Sequence, residues 1–187
     1  MSYQQLTFRI SGVAPLIQHN GQTADPLNQH AKDIAEIAGK RKKVEADHKE
    51  MAKREWLAGL YLSGGAPCIP AALIEAALIE GAKKEKRGPQ AKAGIVVEQH
   101  AKLEYDGPRK IADLWNDERF RLRVSVRVGQ SRVMRTRPLF DKWSAEVLVK
   151  YLPGMVDAKS VRDFLLTAGD QIGIGDWRPR FGRFTVQ

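Results

Sequence analysis

Phe120-Arg121-Leu122-Arg123-Val124-Ser125-Val126-Arg127-Val128 alternates apolar and polar side chains without a break. A period of two belongs to an extended strand with one face toward the interior and the other toward solvent. Here the polar face is arginine at three of its four positions. Gly129-Gln130-Ser131 supplies a hairpin turn, and Val133-Met134-Arg135-Thr136-Arg137-Pro138 resumes the extended pattern with Arg135 and Arg137 on a shared face. Pro138 has no N–H to give to a ladder and is expected to stop the pairing or to mark an edge.

Outward from this hairpin, Leu6, Phe8 and Ile10 alternate as a first strand, Trp143–Tyr151 reads as another, and Phe184 and Val186 close the chain in the same period. Short strand pieces are expected at 95–97 and 103–105, before a turn at Asp106-Gly107-Pro108, and a short helical turn at 111–115. Between Arg41 and Tyr61 the apolar residues Val44, Met51, Trp56, Leu57 and Leu60 fall at helical spacing. A second helix opens at Pro70 and begins to end at Gly81. A third is expected over Asp157–Ala168, with Val161, Phe164, Leu165 and Ala168 on one side and Gly169 as its C-cap. The stretches 19–29 and 83–94 read as loops, the second of them exposed and basic. With no repeat or linker, the expectation is one α+β domain over residues 1–187.

Lys and Arg number 31 against 22 Asp and Glu, a formal charge of +9, so polyanions are the natural partners. Cys68 stands alone, which excludes an internal disulfide and a thiolate metal cluster. No apolar run approaches the roughly 18 residues a membrane span needs, and the N-terminal residues lack the pattern of a leader. A cytoplasmic protein without metal, cofactor or membrane partner is expected.

The run from Arg119 to Phe140 holds Arg119, Arg121, Arg123, Arg127, Arg132, Arg135 and Arg137 and no acidic residue. Residues two apart on a strand are about 6–7 Å apart, similar to the phosphate spacing of an extended nucleic-acid strand. Arginine also binds phosphate through two donors and stacks on bases. Pairing with acids from elsewhere in the fold is the alternative. A second candidate is Gly173-Ile174-Gly175, followed by Trp177, Arg178, Arg180, Phe181, Gly182 and Arg183, where aromatic rings and cations interleave. It follows a helix and does not open one, so it is not a dinucleotide fingerprint. A structural turn with Trp177 and Phe181 in the core is the other reading. Lys83, Lys84, Lys86 and Arg87, and the cluster at 41–43, would extend a basic track.

The order of helix, glycine-rich loop and last strand resembles the RAMP superfamily, which includes the backbone subunits of CRISPR surveillance complexes. That resemblance covers the chain from about Asp157 onward. It implies a ferredoxin-like, RRM-related antiparallel sheet with helices on one face and inserted basic loops, binding single-stranded RNA or DNA as repeated subunits, a homo-oligomer or a multi-subunit complex. Phe181-Gly182-Arg183 stands where that family closes its loop with glycine, an apolar residue and glycine, which suits a distant or phage-borne relative. RNA endonucleases of similar fold use histidine, and His19, His30, His48 and His100 are available, though none lies in a catalytic motif. A binding module is therefore expected over an enzyme. An RNA endonuclease and a phage structural or interaction protein are the alternatives.

Overall fold

The computed structural model describes residues 2–187. Its strands are β1 (Gln4–Gly12), β2 (Leu16–Ile17), β3 (Leu62–Ser63), β4 (Ala66–Ile69), β5 (Ile95–Val96), β6 (Ala101–Lys102), β7 (Glu104–Tyr105), β8 (Arg121–Val128), β9 (Ser131–Phe140), β10 (Trp143–Tyr151) and β11 (Phe184–Val186). Its helices are α1 (Gln29–Ala38), α2 (Glu45–Gly59), α3 (Ala71–Lys84), α4 (Gly88–Gly94), α5 (Ile111–Asn116) and α6 (Ala158–Thr167). The protein is α+β with antiparallel sheets. Two compact units form, neither continuous in sequence: one comprises the chain through Ile17, Leu62–Asp106 and Phe140–Gln187, the other Gln18–Tyr61 and Gly107–Leu139.

In the first unit the sheet order is β11-β1-β10-β5, with β7 also on β10. Phe8 and Ile10 of β1 stand opposite Val147 and Ala145 of β10 and are buried with them. The opposite face carries Thr7, Arg9 and Glu146, as the period-two pattern requires. There Arg9 pairs with Glu104, and Lys150 with Glu98.

α3 opens directly after Pro70, as expected, but Gly81 does not end it. A Cβ at Gly81 would lie 2.2 Å from the carbonyl oxygen of Phe164, so the glycine serves the close approach of α3 to α6. Gly169 likewise is not a C-cap. The chain continues through a π-helical turn, Ala168–Ile172, that ends at Gly173 with φ +75°, while Gly169 lies against the Phe184 carbonyl.

The expected basic loop at 83–94 is largely helical. Lys83 and Lys84 form the last turn of α3, Pro89 occupies the first turn of α4, and Gly88, Ala91 and Gly94 are buried. Proline suits a helix start and glycine suits tight packing, so residues that read as loop signals serve helix geometry here.

In the second unit Trp56 is fully buried on α2, and its indole N–H donates to the Phe120 carbonyl at 2.7 Å. α2 starts at Glu45 and not near Arg41. α1 was not expected, although Ala31, Ile34, Ala35 and Ala38 recur at helical spacing; of its residues only Ile37 is buried. Within the expected 19–29 loop, Gly21–Ala24 makes a 3-10 turn whose N-cap Asn20 also donates to the Leu60 carbonyl. The hairpin turns at Gly129, φ +59°, and pairs Val128 with Ser131. Counting from that closing pair, Arg121 and Pro138 form a non-hydrogen-bonded pair. The missing N–H of Pro138 would have pointed away from β8, so proline neither stops the strand nor costs a bond between β8 and β9.

Candidate nucleic-acid interface

The two-residue turn sets which arginines share a face. Directly opposite residues of an antiparallel pair project to the same side. Arg121, Arg123, Ser125 and Arg127 of β8 therefore stand with Pro138, Thr136, Met134 and Arg132 of β9. Arg135 and Arg137 pair with Val124 and Leu122 and lie on the other face. The arginines that follow one another in sequence thus divide into two groups.

Their partners differ as well. Arg135 donates at 2.6 Å to Glu55, which is 7% exposed and whose second oxygen accepts the Thr136 N–H at 3.0 Å. That carboxylate neutralises Arg135 and caps the outer edge of β9, so Arg135 serves the fold. Arg137 is half-buried and lines a cavity of about 380 Å³ together with His19, Asn20 and Arg135. On the opposite face, Arg121 meets Glu118 at 3.1 Å and lies over the Trp115 ring, 4.7 Å from its centroid. Arg127 donates to the Gly129 carbonyl at 3.0 Å. Among the described residues, Arg123, Arg127 and Arg132 have no carboxylate partner. Arg119 is bound by Asp117 at 2.7 Å, and this contact holds the Asp117 carboxyl below its ordinary range.

Two hollows of about 450 and 580 Å³ lie beside this face. Both include Ala52 of α2 with Arg123 and Thr136 of the hairpin, so they form one groove between helix and strands. Trp115 and Lys49 line the first, and Met51, His48 and Met134 the second. Neither Trp115 nor Lys49 stands out in the sequence, because each reads as an ordinary helix residue; only the fold brings them to Arg121 and Arg123.

The first unit carries the other candidate segment. Its three glycines take φ of +75°, +89° and +71° at 173, 175 and 182. A Cβ at Gly182 would lie 1.7 Å from the Ile174 carbonyl oxygen, and one at Gly175 2.4 Å from that of Ile17. Backbone bonds from Ile174 to Gly182, Gly182 to Pro15 and Asp176 to Ile17 fasten the loop. Trp177 holds φ +55°, an uncommon conformation for a bulky residue, with its N–H on the Asp176 carboxylate. Trp177 and Phe181 are half-buried, their ring centroids 6.1 Å apart, so neither is a core residue. Arg178, Arg180 and Arg183 are exposed around them, and Arg180 lies 5.9 Å from the Phe181 ring centroid.

No protein-family model and no curated protein sequence matches this chain. Among the remaining candidate cations, Lys84 and Lys86 are exposed, and Lys83 pairs with Glu80 at 2.5 Å. Arg87 is structural: it donates to the Ser160 hydroxyl and to Gln90 and lies over the Phe164 ring. His100 accepts the N–H of Ala71 through Nδ1 at the start of α3, and His48 lines the groove. No group of three or more His, Cys, Asp or Glu among the described residues is arranged to hold a metal ion, and no described helix is long and apolar enough to cross a membrane.

Proposed function

We propose that this protein is a non-catalytic module that binds single-stranded nucleic acid, RNA or DNA, through the face of the β8–β9 hairpin that carries Arg121, Arg123, Arg127 and Arg132. One observation carries the reading. Arg127 and Arg132 are cross-strand partners on one face, without a carboxylate partner among the described residues. Like charges placed directly opposite destabilise a hairpin. A polyanion turns that repulsion into binding energy, and arginine's fork suits phosphate oxygens. The glycine-fastened loop of the first unit supports the same reading, since it presents arginines beside two partly exposed rings.

A ferredoxin-like arrangement is part of the proposal. Among the elements of the first unit, β1, α3, β5, β10, α6 and β11 follow one another in that order with shorter elements between them, and the sheet order β11-β1-β10-β5 supports that assignment. The placement of the glycine loop between α6 and β11 supports kinship with the RAMP proteins, and with it a cytoplasmic protein assembled as repeated subunits along its ligand. On the open face of the main sheet both cations are paired, Arg9 with Glu104 and Lys150 with Glu98, so the hairpin and the loop are the better candidates for contact.

Fluorescence anisotropy with labelled single-stranded RNA and DNA oligomers tests this directly. Binding should weaken steeply with salt, and replacing Arg121, Arg123 and Arg127 together with Glu should abolish it. Unchanged affinity in that variant, with an unchanged melting temperature, would remove the proposed ligand. Cleavage of the oligomer would favour an RNA endonuclease.

A further inference from the structure

We propose that the hollow between α2, α5 and the β8–β9 hairpin is a nucleotide subsite. It would hold one base of a bound strand against the stacked Trp115–Arg121 pair, with the flanking phosphates on Lys49 and Arg123. This rests on the nucleic-acid reading and adds to it a defined pocket, two residues outside the arginine run, and a role for the base.

The hollow measures about 450 Å³, within the range of roughly 300–1,000 Å³ typical of small-ligand sites. It exists because α2 presents Ala52 at the point where a longer side chain would fill it; Ala52 and Thr136 are both buried and form its floor. One wall is flat. The Arg121 guanidinium lies 4.7 Å from the centroid of Trp115, and Trp56, edge-on at 5.5 Å, supports the indole from the core. A planar cation layered on a braced indole suits the π-face of a base better than it suits a flexible acidic side chain.

The rim cations come from opposite walls, Lys49 from α2 and Arg123 from β8. Arg123 has no carboxylate partner among the described residues. Lys49 meets Glu45, which is 82% exposed, and Arg121 meets Glu118, which is 91% exposed. Such solvated ion pairs contribute little and yield readily to a phosphate. Arg135, held by a buried carboxylate nearby, cannot make that exchange as easily.

The test uses the full chain with single-stranded oligo(U) and oligo(dT) that carry one 5-iodopyrimidine. Irradiation should cross-link the base to the peptide that contains Trp115. Ala52→Leu, which fills the hollow without removing a charge, should weaken binding about tenfold and leave the salt slope unchanged. Lys49→Glu should weaken binding and lower the slope by about 1. If Ala52→Leu melts early, Lys49→Glu, at an exposed helix position, and the cross-link map decide the matter. Salt-sensitive binding by the wild type, with cross-links only in residues 173–187 and both variants unaffected, overturns the subsite while sparing the nucleic-acid reading. No binding of either oligomer by the wild type overturns both.

Discussion

The β8–β9 hairpin and the loop from Gly173 to Arg183 carry arginine at similar density, yet they hold it in different ways. The loop is fixed by its backbone. Three positive-φ glycines and bonds to Pro15 and Ile17 set its path, and its arginines project from that frame without carboxylate anchors among the described residues. The hairpin is fixed by register, and no residue of β8 is buried. A two-residue turn sends Arg121, Arg123, Arg127 and Arg132 to one side and Arg135 and Arg137 to the other, where Glu55 takes one of them into the fold. Arginine content alone therefore does not identify a binding surface. What counts is which side of the sheet each guanidinium reaches and how exposed its carboxylate is.

The sharpest attack on this contrast is Gly182→Ala. The added Cβ meets the Ile174 carbonyl oxygen at 1.7 Å in a positive-φ backbone, and a loss of about 3 kcal/mol or more is expected from the urea midpoint. A midpoint close to wild type would mean that the loop re-forms around a side chain and is not the rigid frame described. Glu55→Ala comes next. Removing a buried partner of Arg135 and of the Thr136 N–H should cost about 2–3 kcal/mol, whereas Glu118→Ala should stay within about 0.5 kcal/mol. Equal midpoints for the two variants would erase the distinction between a locked and an exchangeable arginine.

Smaller effects sharpen the comparison through binding. Arg123→Ala should weaken oligonucleotide affinity about fivefold to tenfold without moving the melting temperature, and Arg135→Ala should do the reverse, lowering stability while sparing most affinity. Arg178→Glu with Arg180→Glu should reduce affinity about threefold to tenfold with the loop intact; no change would leave the hairpin as the sole contact. The smallest effect concerns Asp157, the N-cap of α6. Hydrogen bonds from the Ser160 N–H and hydroxyl, aided by the charge of Arg87, hold its carboxyl below the ordinary value of 3.8. A group with a depressed folded pKa adds stability above its unfolded value and loses it as pH falls through the folded one. Melting temperature measured from neutral to strongly acid pH should therefore fall less steeply at the acid end in Asp157→Asn than in wild type.

Strong periodicity made β1, β10, α3 and α6 legible along the chain, since a half-buried element writes its burial into residue order, and it marked β8 and β9 as strands although the expected inward face of β8 is not buried. α1 and α4 were missed, the first despite apolar residues at helical spacing. α1 buries only Ile37, and α4 is built of glycine, proline and alanine that local rules assign to loops. The arginine run was legible as a candidate surface, but its division into two faces was not, because that depends on which residue of β9 closes the turn. Lys49 was invisible as a site residue because it comes from α2, far from the hairpin in sequence, and Trp115 because only the turn between α5 and β8 brings its ring under the Arg121 guanidinium.

By itself the sequence determined the α+β class, the excess of positive charge and the segments where arginine concentrates, because these follow from composition and from the periods of single elements. Only the tertiary structure decided which guanidiniums face solvent together, which one a buried glutamate neutralises, and where a hollow opens beside them. Those outcomes depend on cross-strand register and on contacts between residues distant in the chain, and neither is a property of any local stretch.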